Sequence, residues 1–298
     1  MTTLLPRVLL FALVAFAAAP ARAETKLTTE VFTASPQGFL VTSTLVSGEK
    51  EAVLIDGQLT LADAHRLVGM IIDSKKTLTT VYVTHWHPDH YFGLVVVKQA
   101  FPKVKIVAQA PTVAEIKKTW AAKVKQWAPM FGDNLATKPL IPTALAGDKI
   151  TLEGQTLEIH GPVQGDAATD SYVWIPSIKT VVAGDIIYRG VHAWTRETTA
   201  AQRKAWRKTL DELAALHPTT VIAGHKDPKQ SDDAGAIDAT RAYLDTFDAA
   251  VDSSKTSAEA QSKVKAKYPS AQLDIILQLG ADAAFPAPAP APAPAPRK

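Results

Sequence analysis

The segment His85-Trp86-His87-Pro88-Asp89-His90 constrains most strongly what this chain can fold into. It places four potential metal ligands within six residues, directly after the β-rich stretch 79–84. Alternate residues of an extended chain point the same way, so His85 and His87 can converge on one point. Asp89 and His90 follow a proline, which cannot continue a strand ladder, and they can therefore face a second point nearby. Imidazole and carboxylate ligands together predict a site for zinc, or for iron or manganese in a carboxylate-rich shell.

Two later β-rich segments end in glycine followed by one ligand-type residue. Val182-Ala183-Gly184-Asp185 presents a carboxylate, and Ile222-Ala223-Gly224-His225 presents an imidazole in the same way. Glycine lets the backbone turn or approach closely, so the next side chain can reach a central site. Each pattern alone is a common turn, but beside the histidine segment both predict ligands of one metal centre.

Residues 1–23 have the organisation of a secretory signal peptide. Arg7 precedes an apolar stretch over 8–19, and Ala21-Arg22-Ala23 fits a cleavage site before Glu24. The alternative is a membrane anchor, but the apolar stretch is shorter than the roughly 20 residues that span a bilayer. We therefore expect an exported protein, periplasmic or secreted, with no stable membrane insertion after the signal is cleaved.

Composition excludes several classes of function. Without residues 1–23, which contain Arg7, Arg22 and no acid, the chain has 30 basic and 29 acidic residues. This balance and the absence of a basic stripe argue against nucleic acid as a partner and favour a small-molecule substrate. The chain has no cysteine, which excludes thiolate ligands and a cysteine nucleophile. The Pro-Ala alternation of residues 285–298 predicts a disordered, extended tail, with a wall-spanning or docking role as the alternative.

Hydrophobic patterns predict strands and helices in both halves of the chain. The segment 93–100 is predicted as a helix, although its valine run is also compatible with a strand. Sheets in both halves, with helices between and after them, predict two packed sheets under outer helices. The predicted strands are 39–46, 51–55, 79–84, 105–108, 156–160, 171–175, 180–183 and 219–223, and the other predicted helices are 61–73, 112–127, 199–216 and much of 233–280.

The order of the motifs resembles the metallo-β-lactamase superfamily over most of residues 30–230. The resemblance rests on H-x-H-x-D-H-x-x-G, which ends at Gly93, followed by the Gly-Asp and Gly-His segments. It implies an α+β fold over residues 24–284, with C-terminal helices, built as a four-layer αββα sandwich with one or two metals at one edge of the sheets. It also implies a first metal bound by His85 and His87, a second bound by Asp89, His90 and His225, and a bridging role for Asp185.

One position departs from the superfamily pattern, which usually supplies a third histidine to the first metal. Counting back from the strand at 171–175 places Asp166 at that position, whereas His160 matches an earlier histidine that is normally not a ligand. We favour Asp166 as the ligand, with His160 or neither residue as alternatives, and interpret Asp170 as a loop carboxylate. An aspartate ligand would add negative charge and favour harder metal ions.

Several further residues are candidates for supporting roles. The resemblance implies that Asp56 is either a hydrogen-bond partner of a ligand histidine or an ordinary turn residue. His192 is a candidate substrate-binding group or proton donor, and Trp194 a candidate apolar wall. The alternative for these two is a surface histidine and a packing tryptophan. The lysines on the helix 112–127 are interpreted as a solvated face, with a substrate-facing lid as the alternative; they are Lys117, Lys118, Lys123 and Lys125.

The predicted site chemistry is hydrolysis of an acyl bond in an ester, lactone or related compound. Two zinc ions are expected, with iron or manganese as alternatives. Metals of this kind lower the pKa of a bound water from 15.7 to about 7. Asp89 or Asp185 would orient the nucleophile and move its proton. The alternatives are a β-lactamase, an iron-dependent oxygenase, and a metal-binding protein without catalysis.

Overall fold

A computed structural model of the chain describes residues 26–285. The predicted signal segment 1–23 and residues 286–298 of the predicted tail therefore lie outside the described residues. The described part contains two large sheets, one two-stranded sheet and seven helices. The helices are α1 Leu61–Asp73, α2 Leu94–Ala100, α3 Ala110–Phe131, α4 Ala200–Ala215, α5 Gly235–Asp252, α6 Ser257–Lys267 and α7 Asp274–Ala284.

The first half of the described chain forms a six-stranded sheet whose spatial order follows the chain. Its first three strands pair antiparallel, and the remaining pairs are parallel. Helices α1, α2 and α3 lie in the crossovers of the parallel part, as parallel pairing requires. The strands are β1 Thr28–Thr33, β2 Thr42–Ser47, β3 Glu51–Ile55, β4 Thr77–Val83, β5 Lys105–Ala108 and β6 Thr143–Ala144.

The second half forms a five-stranded sheet in the order β12-β10-β9-β8-β7. Pairing is antiparallel except between β10 and β12, which are parallel because α4 connects them. Strands β11 and β13 form a separate parallel pair. The strands are β7 Lys149–Leu152, β8 Gln155–Val163, β9 Asp170–Ile175, β10 Thr180–Val182, β11 Tyr188–Arg189, β12 Thr220–Ile222 and β13 His225–Lys226.

The two sheets pack face to face through one apolar cluster. Val53 and Ile55 of β3 belong to it together with Ile159 of β8 and Val173 of β9. Leu54 lies between Val53 and Ile55 in the chain and belongs to a second cluster instead, because neighbouring side chains of a strand face opposite sides. Both faces of these strands are therefore buried, which explains why they read as continuous apolar runs.

The second apolar cluster joins the outer faces of the sheets to the helices. It includes Leu54 of β3, Leu67 of α1, Trp174 of β9 and Trp206 of α4. The layers are helix, sheet, sheet and helix, which is the predicted αββα sandwich. Within the described residues, no helix combines the length and the apolar character that crossing a membrane requires.

The predicted strand 39–46 begins later than its sequence indicates. Phe39 and Leu40 have φ values of 60° and 53°, in the left-handed region, and the regular strand starts at Thr42. This turn carries the Phe39 carbonyl to within 2.6 Å of His225 Nδ1. The β-rich composition of the segment was a poor guide here, because a long-range contact determines its conformation.

Candidate metal centre

Several candidate ligands follow the ends of strands and lie at one edge of the sandwich. β3 and β4 are parallel, so their carboxyl ends, which are followed by Asp56 and by His85, lie side by side. β10 and β12 are also parallel and are followed by Asp185 and His225. At Gly224 an added Cβ would collide with the Asp185 carboxylate and the backbone of Gly184, so glycine is required for this close approach.

The first group of ligand-type atoms comes from His85, His87, Asp166 and Asp185. One atom from each side chain lies within 4.8 Å of the others, and all four residues are buried. His87 Nδ1 is 3.1 Å from Asp166 Oδ2, and His85 Nε2 is 4.0 Å from Asp166 Oδ1. The structure therefore places Asp166, from the loop between β8 and β9, beside the two histidines of the motif.

The second group comes from Asp89, His90 and His225. His225 Nε2 lies 3.1 Å from Asp89 Oδ2 and 3.2 Å from Asp185 Oδ2. His90 Nε2 lies 3.1 Å from Asp185 Oδ1, and His85 Nε2 of the first group lies 3.6 Å from Asp185 Oδ2. Asp185 thus lies between the two groups, where a bridging carboxylate would have to be.

Four histidines are candidate ligands, namely His85, His87, His90 and His225. In each, one ring nitrogen lies within hydrogen-bonding distance of another protein group, and the other faces the two groups of ligand-type atoms. His90 Nδ1 donates to Asp56 Oδ2 at 2.9 Å, and His225 Nδ1 donates to the Phe39 carbonyl. His85 Nδ1 lies 3.0 Å from the Thr84 hydroxyl, which itself donates to Asp56. The outer hydrogen bonds select the tautomer that leaves Nε2 free to bind a metal.

His87 has the opposite orientation, and the residue responsible was not predicted from the sequence. Its Nε2 lies 2.8 Å from Glu197 Oε2, so its Nδ1 is the nitrogen that faces Asp166. Lys123 Nζ of α3 donates to Glu197 Oε1 at 2.8 Å and lies 4.7 Å above the Trp86 ring. The interpretation of Lys123 as part of a solvated face was wrong, because its side chain is only 8% exposed.

Several buried atoms at the centre have no hydrogen-bond partner among residues 26–285. They are Nε2 of His85 and His90 and Oδ1 of Asp166 and Asp185; the last atom lies 3.1 Å from His90 Nε2, but the pair does not have hydrogen-bond geometry. Buried polar atoms are rarely left without a partner, since a lost hydrogen bond is costly. A metal ion would satisfy nitrogen and oxygen donors of this kind, so the side chains present fit the metals that the sequence predicts.

Asp56 supports both the histidine segment and the second group. It accepts from the Thr84 backbone N–H at 2.8 Å and the Thr84 hydroxyl at 2.7 Å, in addition to His90. The structure thus places it as a hydrogen-bond partner of a candidate ligand rather than as a simple turn residue.

Tyr188 is a second contributor that sequence reasoning missed. Its hydroxyl lies 2.9 Å from Asp166 Oδ2 and 2.8 Å from Asp185 Oδ2, and its ring stacks on His225 at 5.3 Å. A tyrosine three residues after the Gly-Asp segment was a visible signal, but the sequence did not show which way its ring would point.

Burial and neighbouring charges shift the pKa values of histidines and aspartates at the centre. Burial lowers the pKa of His87, but Asp166 and Glu197 outweigh it and raise this pKa to about 10. Asp185 and Asp89 likewise overcome burial and raise the pKa of His225 to about 10. Burial raises the pKa of Asp166 to about 6, although His87 opposes this rise. In the protein without metal, protonated His87 and His225 therefore offset negative charge of the carboxylates beside them.

Comparison with known proteins identifies the family. The family model described as the metallo-beta-lactamase superfamily matches residues 36–225, which is more than half of the chain. The chain belongs to the metallo-beta-lactamase superfamily. Membership and the two groups of histidine and aspartate side chains make it a metal-dependent hydrolase.

Individual relatives of this superfamily member are distant. A protein named metallo-beta-lactamase type 2 from Bacteroides fragilis is 25% identical over 186 residues, covering 61% of this chain and 68% of that protein. A solved metallo-beta-lactamase family protein from Thermus thermophilus has a TM-score of 0.60 at 19% identity and covers 87% of this chain and 91% of its own. The DIM-1 metallo-beta-lactamase has a TM-score of 0.53 at 18% identity, covering 76% and 95%. The two structures share the sandwich fold.

The departure from the superfamily pattern is visible in the structure. His160 lies on β8, half exposed, 3.3 Å from Glu158 and stacked on Tyr172, away from both ligand groups. Asp170 is the buried first residue of β9, so its interpretation as a loop carboxylate was wrong. Burial and the charge of Asp166 raise the pKa of Asp170 well above its usual range.

A cavity that is partly open to solvent lies beside both ligand groups. His192, the candidate substrate-binding group or proton donor, and Trp194, the candidate apolar wall, both line it, together with Asp89 and Asp185. His192 is buried, and its Nδ1 lies 3.0 Å from the Tyr243 hydroxyl. Burial lowers the pKa of His192, so its imidazole is neutral at pH 7.

Proposed function

We propose that this superfamily member is an exported zinc hydrolase that opens or cleaves an acyl bond in an ester, lactone or related small molecule. The observation that supports this most directly is the histidine arrangement. All four motif histidines are held through one nitrogen, and the other nitrogen is directed at a carboxylate group beside the cavity.

The metals would be held by both groups of side chains. His85, His87, Asp166 and Asp185 fit the first ion, and Asp89, His90 and His225, with Asp185 shared, fit the second. Bound zinc supplies Lewis acidity, which polarises a carbonyl and lowers the pKa of a coordinated water to about 7. The three carboxylates leave iron or manganese as alternative ions.

The protein's own groups would move the protons. Asp89 and Asp185 line the cavity, and their carboxylates can orient the attacking water and accept its proton. A neutral His192 that accepts from the Tyr243 hydroxyl at Nδ1 would carry its proton on Nε2, which lies 3.5 Å from Asp274 Oδ1. That N–H can donate to the substrate or its leaving group.

The first test is metal content, measured by elemental analysis of mature protein purified without chelator. We expect two zinc ions per chain, falling towards one in Asp166→Ala and unchanged in the matched control Asp148→Ala, whose carboxylate is exposed. One ion in both wild type and Asp166→Ala would show that Asp166 is not a ligand. Little or no metal in the wild type would refute the catalytic proposal.

β-Lactam hydrolysis is the second candidate, and the similarity to the Bacteroides fragilis protein favours testing it. A chromogenic cephalosporin assayed beside an aryl ester and a lactone distinguishes the two. Turnover of the cephalosporin alone would replace the first candidate by the second.

The exported location rests on the sequence of residues 1–23. Expression of the full chain in a bacterial host should give a periplasmic or secreted protein whose intact mass corresponds to a start at Glu24. A cytoplasmic protein that retains residue 1 would contradict export.

A further inference from the structure

We infer that the cavity selects substrates with an apolar, uncharged acyl group, and that the indole N–H groups of Trp127 and Trp194 bind neutral oxygen atoms of such a substrate. This inference rests on the proposed acyl hydrolysis and specifies its substrate class.

Apolar side chains form most of the cavity wall away from the ligands. Phe39, Leu59 and Trp127 form part of this wall, and Phe39 and Trp127 meet edge to face at 5.3 Å. Leu273 and Ile276, from the start of α7, form another part. The last two residues lie beyond the region that matches the superfamily, so this part of the wall is a feature of the C-terminal helices.

The cavity has one lysine or arginine among its described lining residues, and that cation already has a partner. Lys123 Nζ is 2.8 Å from Glu197 Oε1 and packs over the Trp86 ring. A carboxylate at the far end of an acyl chain would therefore find no free cation on this wall. Burying an unpaired charge is far more costly than burying a methyl group.

The wall instead offers unused neutral donors. Trp127 Nε1 and Trp194 Nε1 are buried and have no hydrogen-bond partner among residues 26–285. A buried indole N–H usually finds an acceptor. An ester, lactone, amide or hydroxyl oxygen of a bound substrate would supply one without bringing a charge into the cavity.

Matched esters test the charge preference of the zinc-loaded protein. Phenyl hexanoate and phenyl hydrogen adipate have acyl chains of equal carbon number, but the second ends in a carboxylate. We expect kcat/KM for the hexanoate to exceed that for the adipate by at least about tenfold, and to exceed that for phenyl acetate as well, since each buried CH₂ contributes several-fold. Equal rates, or a preference for the adipate, would overturn the inference and assign Lys123 to anion binding.

Two conservative variants test the donors. Trp127→Phe and Trp194→Phe keep an aromatic ring and remove the N–H, so each should raise KM for phenyl hexanoate by roughly two- to tenfold, the range for one neutral hydrogen bond. Trp120→Phe is the control, because Trp120 is on α3 but does not line the cavity. Unchanged KM in both cavity variants would refute the role of the indoles.

A binding measurement separates this inference from the proposed reaction. Hexananilide and adipanilic acid are the amide analogues of the two esters, and their binding is followed by calorimetry in the zinc-loaded protein. Hexananilide binding at least about tenfold tighter than adipanilic acid supports the inference even when no ester is hydrolysed, in which case the proposed function alone fails. Equal or reversed affinities overturn the inference even when esters are hydrolysed.

Discussion

Replacing Glu197 tests whether the orientation of His87 sustains the first metal site. Glu197 Oε2 lies 2.8 Å from His87 Nε2, so the carboxylate holds the proton on Nε2 and leaves Nδ1 for the metal. Glu197→Gln keeps the size of the side chain but removes its charge, and its amide NH₂ would compete with the ring N–H and face the Lys123 ammonium. The His87 tautomer that carries its proton on Nε2 would then no longer be stabilised by a carboxylate.

The expected loss is 10- to 100-fold in affinity for one of the two ions, the usual effect of removing a partner of a ligand histidine. That range corresponds to about 1.4–2.8 kcal/mol of binding free energy. The upper part of the range applies to Glu197→Ala, which also leaves Lys123 without its carboxylate partner. The second ion should bind as in the wild type, because Asp89, His90 and His225 do not contact Glu197.

The assay is competition with a chromophoric chelator, which gives separate affinities for the tighter and the weaker zinc ion. Glu158→Gln is the matched control, since it removes a carboxylate from beside the half-exposed His160, outside both ligand groups. If Glu197→Gln binds both ions within twofold of the wild type, the reasoning from the His87 hydrogen bond is refuted. A loss of the same size in Glu158→Gln would show that the effect is not specific to His87.

Three further outcomes follow from the same contacts. Asp56→Ala removes the acceptor of His90 Nδ1 and leaves buried donors unpaired, so urea unfolding should show a loss of about 2–4 kcal/mol in stability and metal analysis a loss of the second ion. Tyr188→Phe should destabilise the metal-free protein by about 1–3 kcal/mol, because two buried carboxylates lose their hydroxyl donor, and should cost less once zinc is bound. The raised pKa values of His87 and His225, both about 10, mean that the folded metal-free protein holds more protons than the unfolded chain between about pH 6.5 and 10. Its stability should therefore fall as pH rises through this window, and urea unfolding at pH 7 and 9.5 in the presence of chelator would contradict this if stability were equal or greater at pH 9.5.

The sequence was sufficient for those parts of the centre that follow strands directly. His85, Asp185 and His225 each come one or two residues after a predicted strand, and parallel strands end at a common edge. The αββα architecture followed from the family resemblance and agreed with buried strands in both halves of the chain. In these cases local spacing and topology determine where a side chain lies.

Contacts between segments far apart in the sequence could not be predicted from local spacing and topology. Glu197 meets His87 across 110 residues, and Lys123 meets Glu197 across 74. Neither residue belongs to a motif, and a lysine on an amphipathic helix is ordinarily solvated. The turn at Phe39 was missed for the same reason, since its carbonyl pairs with His225 across 186 residues.

The carboxylate at position 166 links the candidate metal centre to the proposed substrate preference. Burial and the nearby charge of Asp185 raise the pKa of Asp166, so a carboxylate here needs a positive neighbour more than a neutral imidazole would. His87 provides that neighbour at 3.1 Å, Glu197 supports His87 from its far side, and Lys123 neutralises Glu197. In the metal-free protein, where His87 is protonated, the four side chains thus alternate in charge from the metal centre to α3. Because Lys123 is already paired with Glu197, it is not free to pair with an anionic substrate. The proposed selection of an uncharged acyl group therefore depends on the same contacts that hold His87 beside Asp166.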